Sequence, residues 1–291
     1  MTPRLRDALS DARGRLSRAG VRNAEQEARW IVCHALAVDS AALFASPERP
    51  LGDDEARAIE GMVRRREARE PLQYILGDAP FFGRSFSVGP GVLIPRPDGE
   101  ALIEAALSLF PRDAPMTFLD WGTGSGCLGA TLLLELPRST GTMVDVSSEA
   151  LAWARRNVAR HGIEGRAQLV LEGLPSALPF RGELDLLISD PPYIPTDQIP
   201  GLMREVRDHE PSVALDGGPD GMRCYRMLLA CAPLWLRPGG WAIFATGDEA
   251  QAEALTAMAP EALAHVSTTL PASAGSSDGA RCVTFRMGAS G

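Results

Sequence analysis

The chain contains no lysine, and all 29 of its basic residues are arginine. It has four histidines and five cysteines, and no two cysteines form a Cys-x-x-Cys pair. This spacing argues against a zinc site, and the odd number of cysteines argues against a disulfide framework. No run of eighteen apolar residues exists, and the N-terminus is charged with a helical pattern. We therefore expect a soluble, cytoplasmic protein that holds no metal.

The net charge of −8 is unevenly distributed along the chain. Residues 1–75 carry 13 arginines and 12 acidic residues, whereas the remainder carries 16 arginines and 25 acidic residues. Proteins that bind nucleic acid usually present a basic face to its phosphates. The acidic remainder therefore disfavours nucleic acid as a substrate.

Apolar periodicity divides the chain into three regions. Leucines and alanines at helical spacing predict a small helical bundle over residues 1–70. Residues 71–100 combine alternation with glycine and proline, which predicts a β-hairpin linker followed by an active-site loop. Strands and helices then alternate over 101–291, which predicts an α/β fold with a largely parallel sheet and helices on both faces. The Ser- and Gly-rich residues 272–279 predict a loop.

A short apolar run from Leu184 to Ser189 is followed by Asp190-Pro191-Pro192-Tyr193. Proline has no backbone N–H and fixes φ, so these prolines must end a buried strand. Ligands of open α/β sheets bind outside the carboxyl ends of the strands. The turn would offer them a carboxylate, backbone carbonyls and an aromatic ring, a set that suits a planar group with N–H donors. From these residues alone, an ordinary proline turn with Tyr193 as a packing residue explains the pattern equally well.

A glycine-rich stretch, Gly122-Thr123-Gly124-Ser125-Gly126, follows a predicted strand and opens a predicted helix. It lacks the Gly-Lys of a phosphate-binding loop, and its third glycine comes too early for the dinucleotide fingerprint. Asp120 precedes it, and Asp145 ends the next predicted strand, where related folds place an acid on the ribose hydroxyls. Together these residues fit a nucleoside that has no phosphate over the glycines. S-adenosylmethionine meets that description.

Five stretches of the chain resemble, in the same order, the HemK/PrmC family of protein-(glutamine-N5) methyltransferases. They are Pro71-Leu-Gln-Tyr-Ile-Leu-Gly77, Leu93-Ile-Pro-Arg-Pro97, Gly122-Thr-Gly-Ser-Gly126, Asp190-Pro-Pro-Tyr193 and Glu205-Val-Arg-Asp-His-Glu-Pro211. The resemblance implies a seven-stranded, Rossmann-like fold that uses S-adenosylmethionine, with an N-terminal bundle that helps to dock a protein substrate. The best-known members methylate the glutamine of the Gly-Gly-Gln motif in peptide chain release factors.

The resemblance also implies which residues form the site. The expected cofactor-binding residues are Asp120, Gly122, Thr123, Gly124, Gly126, Asp145, Val146, Glu172, Gly173 and Asp190. The expected catalytic residues are Asp190, Pro191, Pro192 and Tyr193, and the expected substrate contacts are Arg96, Glu100, Asp190 and Tyr193. No metal ligand is expected among them.

The chain departs from the family pattern close to the expected acceptor. Asp190 stands where the family normally has asparagine, and Asp98-Gly99 replaces a Glu-Thr pair. Gly173 stands where an acid often contacts the adenine, and Phe244-Ala245-Thr246-Gly247 replaces Leu-Glu-Ile-Gly. A carboxylate only accepts hydrogen bonds, whereas asparagine also donates them. Asp190 therefore tolerates an amide nitrogen and would favour a cationic group such as guanidinium.

The leading hypothesis is in-line transfer of a sulfonium methyl group to an amide nitrogen, with release factor glutamine as the acceptor. Since the donor is already activated, the protein would contribute alignment and electrostatics rather than a strong base. One alternative is a methyltransferase acting on a small guanidine or amide metabolite such as arginine. Another is a degenerate relative that binds a partner without turnover. We expect a monomer with no nucleic acid or membrane partner.

Overall fold

The computed structural model of the protein describes residues 3–269 and 281–289. They form two compact units. One unit comprises the residues up to Asp78 together with Met203–His209, and the other comprises Ala79–Leu202 together with the residues from Glu210 onward. The loop predicted over residues 272–279 lies outside the described residues.

Helices and strands follow one another in the order that their numbers give. The helices are α1 (Leu5–Arg18), α2 (Ala24–Leu36), α3 (Ser40–Ala45), α4 (Asp53–Glu67), α5 (Leu72–Leu76), α6 (Glu100–Leu109), α7 (Cys127–Glu135), α8 (Ser148–Arg160), α9 (Arg204–His209), α10 (Arg223–Trp235) and α11 (Glu249–Met258). The strands are β1 (Asp78–Phe81), β2 (Arg84–Ser87), β3 (Thr117–Trp121), β4 (Thr140–Asp145), β5 (Ala167–Leu171), β6 (Leu184–Ser189), β7 (Leu236–Thr246), β8 (Leu263–Thr269) and β9 (Arg281–Met287). Among these helices none is long and apolar enough to cross a membrane.

The first unit is a helical bundle built around the apolar faces of α1, α2 and α4. Leu16, Ile31 and Val63 are buried at its centre. Two short helices, α5 and α9, were not predicted from the sequence. A helix of five or six residues completes too few turns to show a helical period in its sequence.

Two arginines, of which Arg66 is buried, join α9 to the bundle. Arg66 of α4 is 5% exposed and donates to Glu27 of α2 at 2.5 Å and to Glu205 of α9 at 3.0 Å. Arg69 also donates to Glu205, at 2.8 Å. Since a buried guanidinium must be paired, Glu27 and Glu205 supply the charge partners of Arg66, and Glu205 also pairs with Arg69. These ion pairs explain why α9 belongs to the bundle, although it lies far from the bundle in sequence.

The second unit contains a seven-stranded sheet in the order β5-β4-β3-β6-β7-β9-β8. Strands β3 to β7 pair in parallel, whereas β9 runs antiparallel to both β7 and β8. Helices α6, α7 and α8 pack on one face, and α10 and α11 pack on the other. The predicted α/β fold with a mostly parallel sheet is confirmed.

The order of the strands reverses at β3, which lies between β4 and β6. The chain moves outward from β3 to β4 and β5, and then crosses back to β6. At such a switch point the connections leave in opposite directions, and a crevice opens beyond the carboxyl ends of the strands. Here the strand ends bring Trp121, Asp145 and Ser189 to the same edge of the sheet.

Candidate active site

A cavity of about 300 Å³ opens at the switch point. The glycine-rich stretch forms one side of it, and the turn that begins at Asp190 forms another. Residues from the expected site that line the cavity are Arg96, Gly122, Thr123, Gly124, Asp145, Val146, Gly173, Asp190 and Pro192. The structure therefore brings the glycines and the Asp190 carboxylate to one cavity.

The glycine bend adopts a backbone conformation that side chains disfavour. Gly122, Gly124 and Gly126 have φ values of 74°, 55° and 82°. A Cβ on Gly126 would lie 2.9 Å from Met143, whereas no atom lies within 4 Å of a Cβ built on Gly122. Gly126 is thus required by packing, and Gly122 faces open space that a ligand can fill.

Asp145 ends β4 beside the bend and has both of its oxygens engaged. Its carboxylate accepts from the N–H of Gly124 at 2.8 Å and from the N–H of Ser147 at 2.9 Å. Burial raises the pKa of this carboxyl group. Each oxygen keeps lone-pair capacity for a further donor, so the group can also accept two hydroxyls. The Ser147 side chain caps α8, accepting from Ala150 at 3.1 Å.

Asp120 lies behind the bend and is fully buried. One oxygen accepts from the Thr123 hydroxyl at 2.6 Å and from the Gly129 N–H at 3.0 Å. The other oxygen has no partner among the described residues. Burial raises the pKa of Asp120 to about 7. Asp120 therefore braces the glycine bend against the start of α7, without lining the cavity itself.

Asp190 has few protein partners. In the described part of the chain, no protein donor hydrogen-bonds to its carboxylate. Burial, with a contribution from the nearby Asp98 carboxylate, raises the pKa of Asp190 to about 6, and Arg96 opposes that rise. Asp190 lines the cavity and, as a residue, keeps some exposed surface, so its carboxylate is open to a ligand that carries N–H groups.

The rest of the proline turn is held by packing. Pro191 is buried, and Pro192 lines the cavity. The Tyr193 ring packs closely on Gly247, and its carbonyl accepts from the Gln251 side chain at 3.0 Å. These contacts fix the position at which the chain leaves β6.

The proline-bracketed loop before α6 is fastened by Glu210, a residue that the sequence did not single out by itself. Its side chain is 1% exposed, and it accepts from the Ile94 N–H at 3.1 Å and from the Arg96 guanidinium. Glu100, expected to contact substrate, accepts from the Phe82 N–H at 2.7 Å instead of lining the cavity. The sequence showed the motif that contains Glu210, but it did not show which residues Glu210 contacts.

Apolar surface flanks the other end of the cavity. Val146 is 55% exposed, and a Cβ on Gly173 would lie 2.8 Å from the Val146 side chain. Glu172 accepts from the N–H groups of Gly173 and Leu174, both at 2.8 Å. A flat group can therefore lie on Val146 and the backbone of Gly173, beside the Asp145 carboxylate.

Sequence reasoning missed several residues of the cavity wall. Trp121 and Cys127 line it, as do Arg223 and Met227 of α10. The Trp121 indole N–H is buried and has no partner among the described residues. Burial raises the pKa of the Cys127 thiol to about 12, so it is no nucleophile at neutral pH. Only its place directly after the glycine bend could have pointed to Cys127.

Two family models match the chain. Residues 7–77 match the PrmC N-terminal domain, and residues 102–204 match the methyltransferase small domain. A release factor glutamine methyltransferase of Geobacter sulfurreducens is 43% identical over 254 residues, covering 87% of each chain. Another, of Cereibacter sphaeroides, is 42% identical over 265 residues, which is 91% of this chain and 93% of that one. The chain belongs to this methyltransferase family.

Solved structures share the fold of this family member. A methyltransferase from Pyrococcus furiosus is 17% identical and covers 79% of this chain and 98% of its own, with a TM-score of 0.52. The P. horikoshii protein TYW2, solved in complex with MeSAdo, is 9% identical, with a TM-score of 0.51, and the match covers 73% of this chain and 71% of that one. Both support the architecture alone.

The enzyme is a methyltransferase that uses S-adenosylmethionine, and the cavity fits this cofactor. The open space beside Gly122 admits a ligand, and Asp145 retains the acceptor capacity that a ribose needs. The carboxylates of Asp145 and Asp190 line the cavity together with Arg96 and Arg223, so a ligand that carries charges of both signs finds opposite charges there. The residues that would hold it are Gly122, Thr123, Gly124, Asp145, Val146 and Gly173.

Proposed function

We propose that the enzyme methylates the side-chain nitrogen of glutamine in a peptide chain release factor. The relatives that carry this name match the chain over nearly its whole length, including the N-terminal module. The observation that supports the proposal is the shared cavity, because both the open carboxylate of Asp190 and the glycine bend line it. An amide nitrogen held by that carboxylate would face the bound donor.

When bound, S-adenosylmethionine supplies an activated methyl group on a positively charged sulfur. The protein has then to hold the acceptor nitrogen in line with it, because proximity and orientation alone can lower such a barrier substantially. Asp190 and the Pro191 carbonyl accept the two amide hydrogens, which directs the nitrogen lone pair toward the methyl carbon. Pro192 and Tyr193 hold these acceptors in a rigid turn.

The transfer would need no further reactant. The bound cofactor would supply a methyl group whose carbon–sulfur bond breaks as the nitrogen–carbon bond forms, with the electron pair of the broken bond remaining on sulfur. The methylated nitrogen then loses one proton. Because an N-methylated amide that carries the extra proton is strongly acidic, this proton can leave to Asp190 or to water after the transfer, and the step needs no strong base.

We assign separate tasks to the regions of the chain. The helical bundle over residues 1–70 would dock the release factor, and residues 71–100 would form the linker and the loop over the acceptor. Residues 101–291 would bind the cofactor and carry out the transfer. The predicted roles of Asp120 and Glu172 in cofactor binding would be indirect, since both hold backbone N–H groups near the cavity.

Incubation with methyl-labelled S-adenosylmethionine tests the function. We expect label on the glutamine of the Gly-Gly-Gln motif of a release factor, located by mass spectrometry, and none on a factor with that glutamine changed to alanine. Free arginine serves as the competing acceptor, because the open Asp190 carboxylate suits a cation. Label on free arginine alone would reject the proposal. Binding of S-adenosylhomocysteine with no label on either acceptor would favour a degenerate binding protein.

A further inference from the structure

The lone carboxylate of Asp190 leaves one part of an amide unrecognised. A glutamine side chain carries two N–H donors and one carbonyl acceptor. Asp190, ionised, satisfies the donors but has no hydrogen to give to the carbonyl. It would also hold a guanidinium at least as well as an amide. A second group is therefore needed to choose the amide.

Arg96 lies on the wall of the same cavity. Its side chain is 37% exposed, and Glu210 is its only hydrogen-bond acceptor among the described residues. A guanidinium has five N–H donors, so most of them remain available to a ligand. Arg96 also acts electrostatically on Asp190 without bonding to it.

Glu210 holds that guanidinium in place. One carboxylate oxygen takes the Ile94 N–H at 3.1 Å, and the other takes Arg96. Pro95 and Pro97 enclose Arg96, and its backbone is extended, with φ −106° and ψ 145°. The loop is thus stiff on both sides of the arginine. Among the described residues, the buried Glu210 carboxylate accepts hydrogen bonds only from this loop.

We propose that Arg96 is the specificity-determining residue of the acceptor site and that Glu210 is its positioning residue. Arg96 donates to the carbonyl oxygen of the acceptor amide, while Asp190 accepts from its nitrogen. The same positive charge repels a guanidinium or ammonium acceptor, which has no oxygen to receive the bond. Arg96 thus supplies the donor that the Asp190 carboxylate lacks. This inference rests on the proposed function, since it concerns how that acceptor is chosen.

The first experiment measures kcat/KM on a release factor and on free arginine. Arg96→Met keeps an unbranched apolar stem and removes the N–H donors of the side chain. We expect it to lower kcat/KM on the release factor roughly 10- to 100-fold, as loss of a charged hydrogen bond does, and to leave or raise activity on arginine. An equal loss on both acceptors, or no loss on the release factor, would overturn the proposal.

Glu210→Gln tests the positioning role. A glutamine there can still accept from Ile94, but its amide would face the guanidinium donor to donor. We expect about a tenfold loss on the release factor, and a double variant with Arg96→Met within about threefold of Arg96→Met alone. Independent, additive losses would show that Glu210 acts on structure and not through Arg96.

Asp185 offers a matched control. It too is a buried carboxylate that takes one backbone N–H, from Thr117 at 2.7 Å, and one arginine, Arg237 at 2.5 Å, at the far end of β6. Asp185→Asn should lower the melting temperature about as much as Glu210→Gln does and leave the ratio of the two kcat/KM values unchanged. If Asp185→Asn shifts that ratio as much as Glu210→Gln does, the effect of Glu210→Gln is general destabilisation.

If the release factor takes no label, the proposed function is refuted, but the role of Arg96 is not. A binding measurement tests that role separately. In the presence of S-adenosylhomocysteine, ligand-observed NMR compares N-acetylglutamine methylamide with methylguanidinium. We expect the native protein to prefer the amide, and Arg96→Met to lose or reverse the preference. Native preference for methylguanidinium, no preference, or a preference that Arg96→Met leaves unchanged would each overturn the role of Arg96.

Discussion

The two sides of the cavity differ in how fully the protein satisfies its own polar groups. At the glycine bend, Asp145 holds two backbone N–H groups, and the buried Asp120 holds a hydroxyl and a third N–H. At the proline turn, no protein donor among the described residues reaches the Asp190 carboxylate. The bend is a preformed cradle, suited to a cofactor that every reaction cycle uses. The turn leaves its carboxylate without a protein donor, and we propose that the substrate supplies one.

Removing the open carboxylate of Asp190 is the strongest test of whether the two sides of the cavity have separate roles. Asp190→Ala should lower kcat on the release factor roughly 100- to 1,000-fold, since the acceptor that orients the nitrogen is lost. The affinity for S-adenosylhomocysteine, measured by calorimetry, should stay within about threefold of native, because the cradle is intact. A comparable loss of cofactor affinity would mean that the two sides do not function separately.

Removing the Asp145 carboxylate from the glycine bend should have the opposite effect, lowering cofactor affinity more than kcat. Asp145→Ala loses a charged contact to the ribose, and we expect the affinity for S-adenosylhomocysteine to fall roughly 10- to 100-fold. At saturating cofactor, kcat should change much less than it does in Asp190→Ala. Calorimetry and saturation kinetics on one preparation measure both quantities. Unchanged affinity would remove Asp145 from the cofactor site.

The pH dependence separates the two sides further. Because the pKa of Asp190 is raised to about 6, its ionised fraction falls as the pH drops below that value. We expect kcat/KM on the release factor to fall toward tenfold per pH unit below about 6. In Asp190→Asn this acid limb should vanish, since the amide does not titrate. Persistence of the limb in that variant would assign it to another group.

The smallest expected effect concerns the choice of acceptor. In Asp190→Asn the new amide can donate to the substrate carbonyl as well as accept from its nitrogen. We expect methylation of glutamine to rise by up to a few-fold and methylation of a cationic acceptor to fall by a similar factor. Competition between the release factor and free arginine measures the ratio directly. The reverse shift would refute this account of the aspartate.

The sequence predicted those parts of the fold that depend on neighbouring residues. The apolar run of β6 and its prolines located the strand and its end, and the glycines located the bend after β3. The short helices α5 and α9 were missed, because so few residues show no helical period. The membership of α9 in the bundle was missed as well. It depends on Glu205 reaching Arg66 and Arg69, a pairing that no local pattern encodes.

The sequence alone determined the fold class and the kind of cofactor, and it predicted the turn that we propose holds the acceptor. Periodicity, glycine conformation and proline geometry are properties of neighbouring residues, and they can be read along the chain. Only the tertiary structure decided that Glu210 fastens Arg96 beside Asp190, and that Glu100 holds the hairpin instead of lining the cavity. Both depend on contacts between residues that are separated in sequence and meet only when the sheet, its crossovers and the loops have packed.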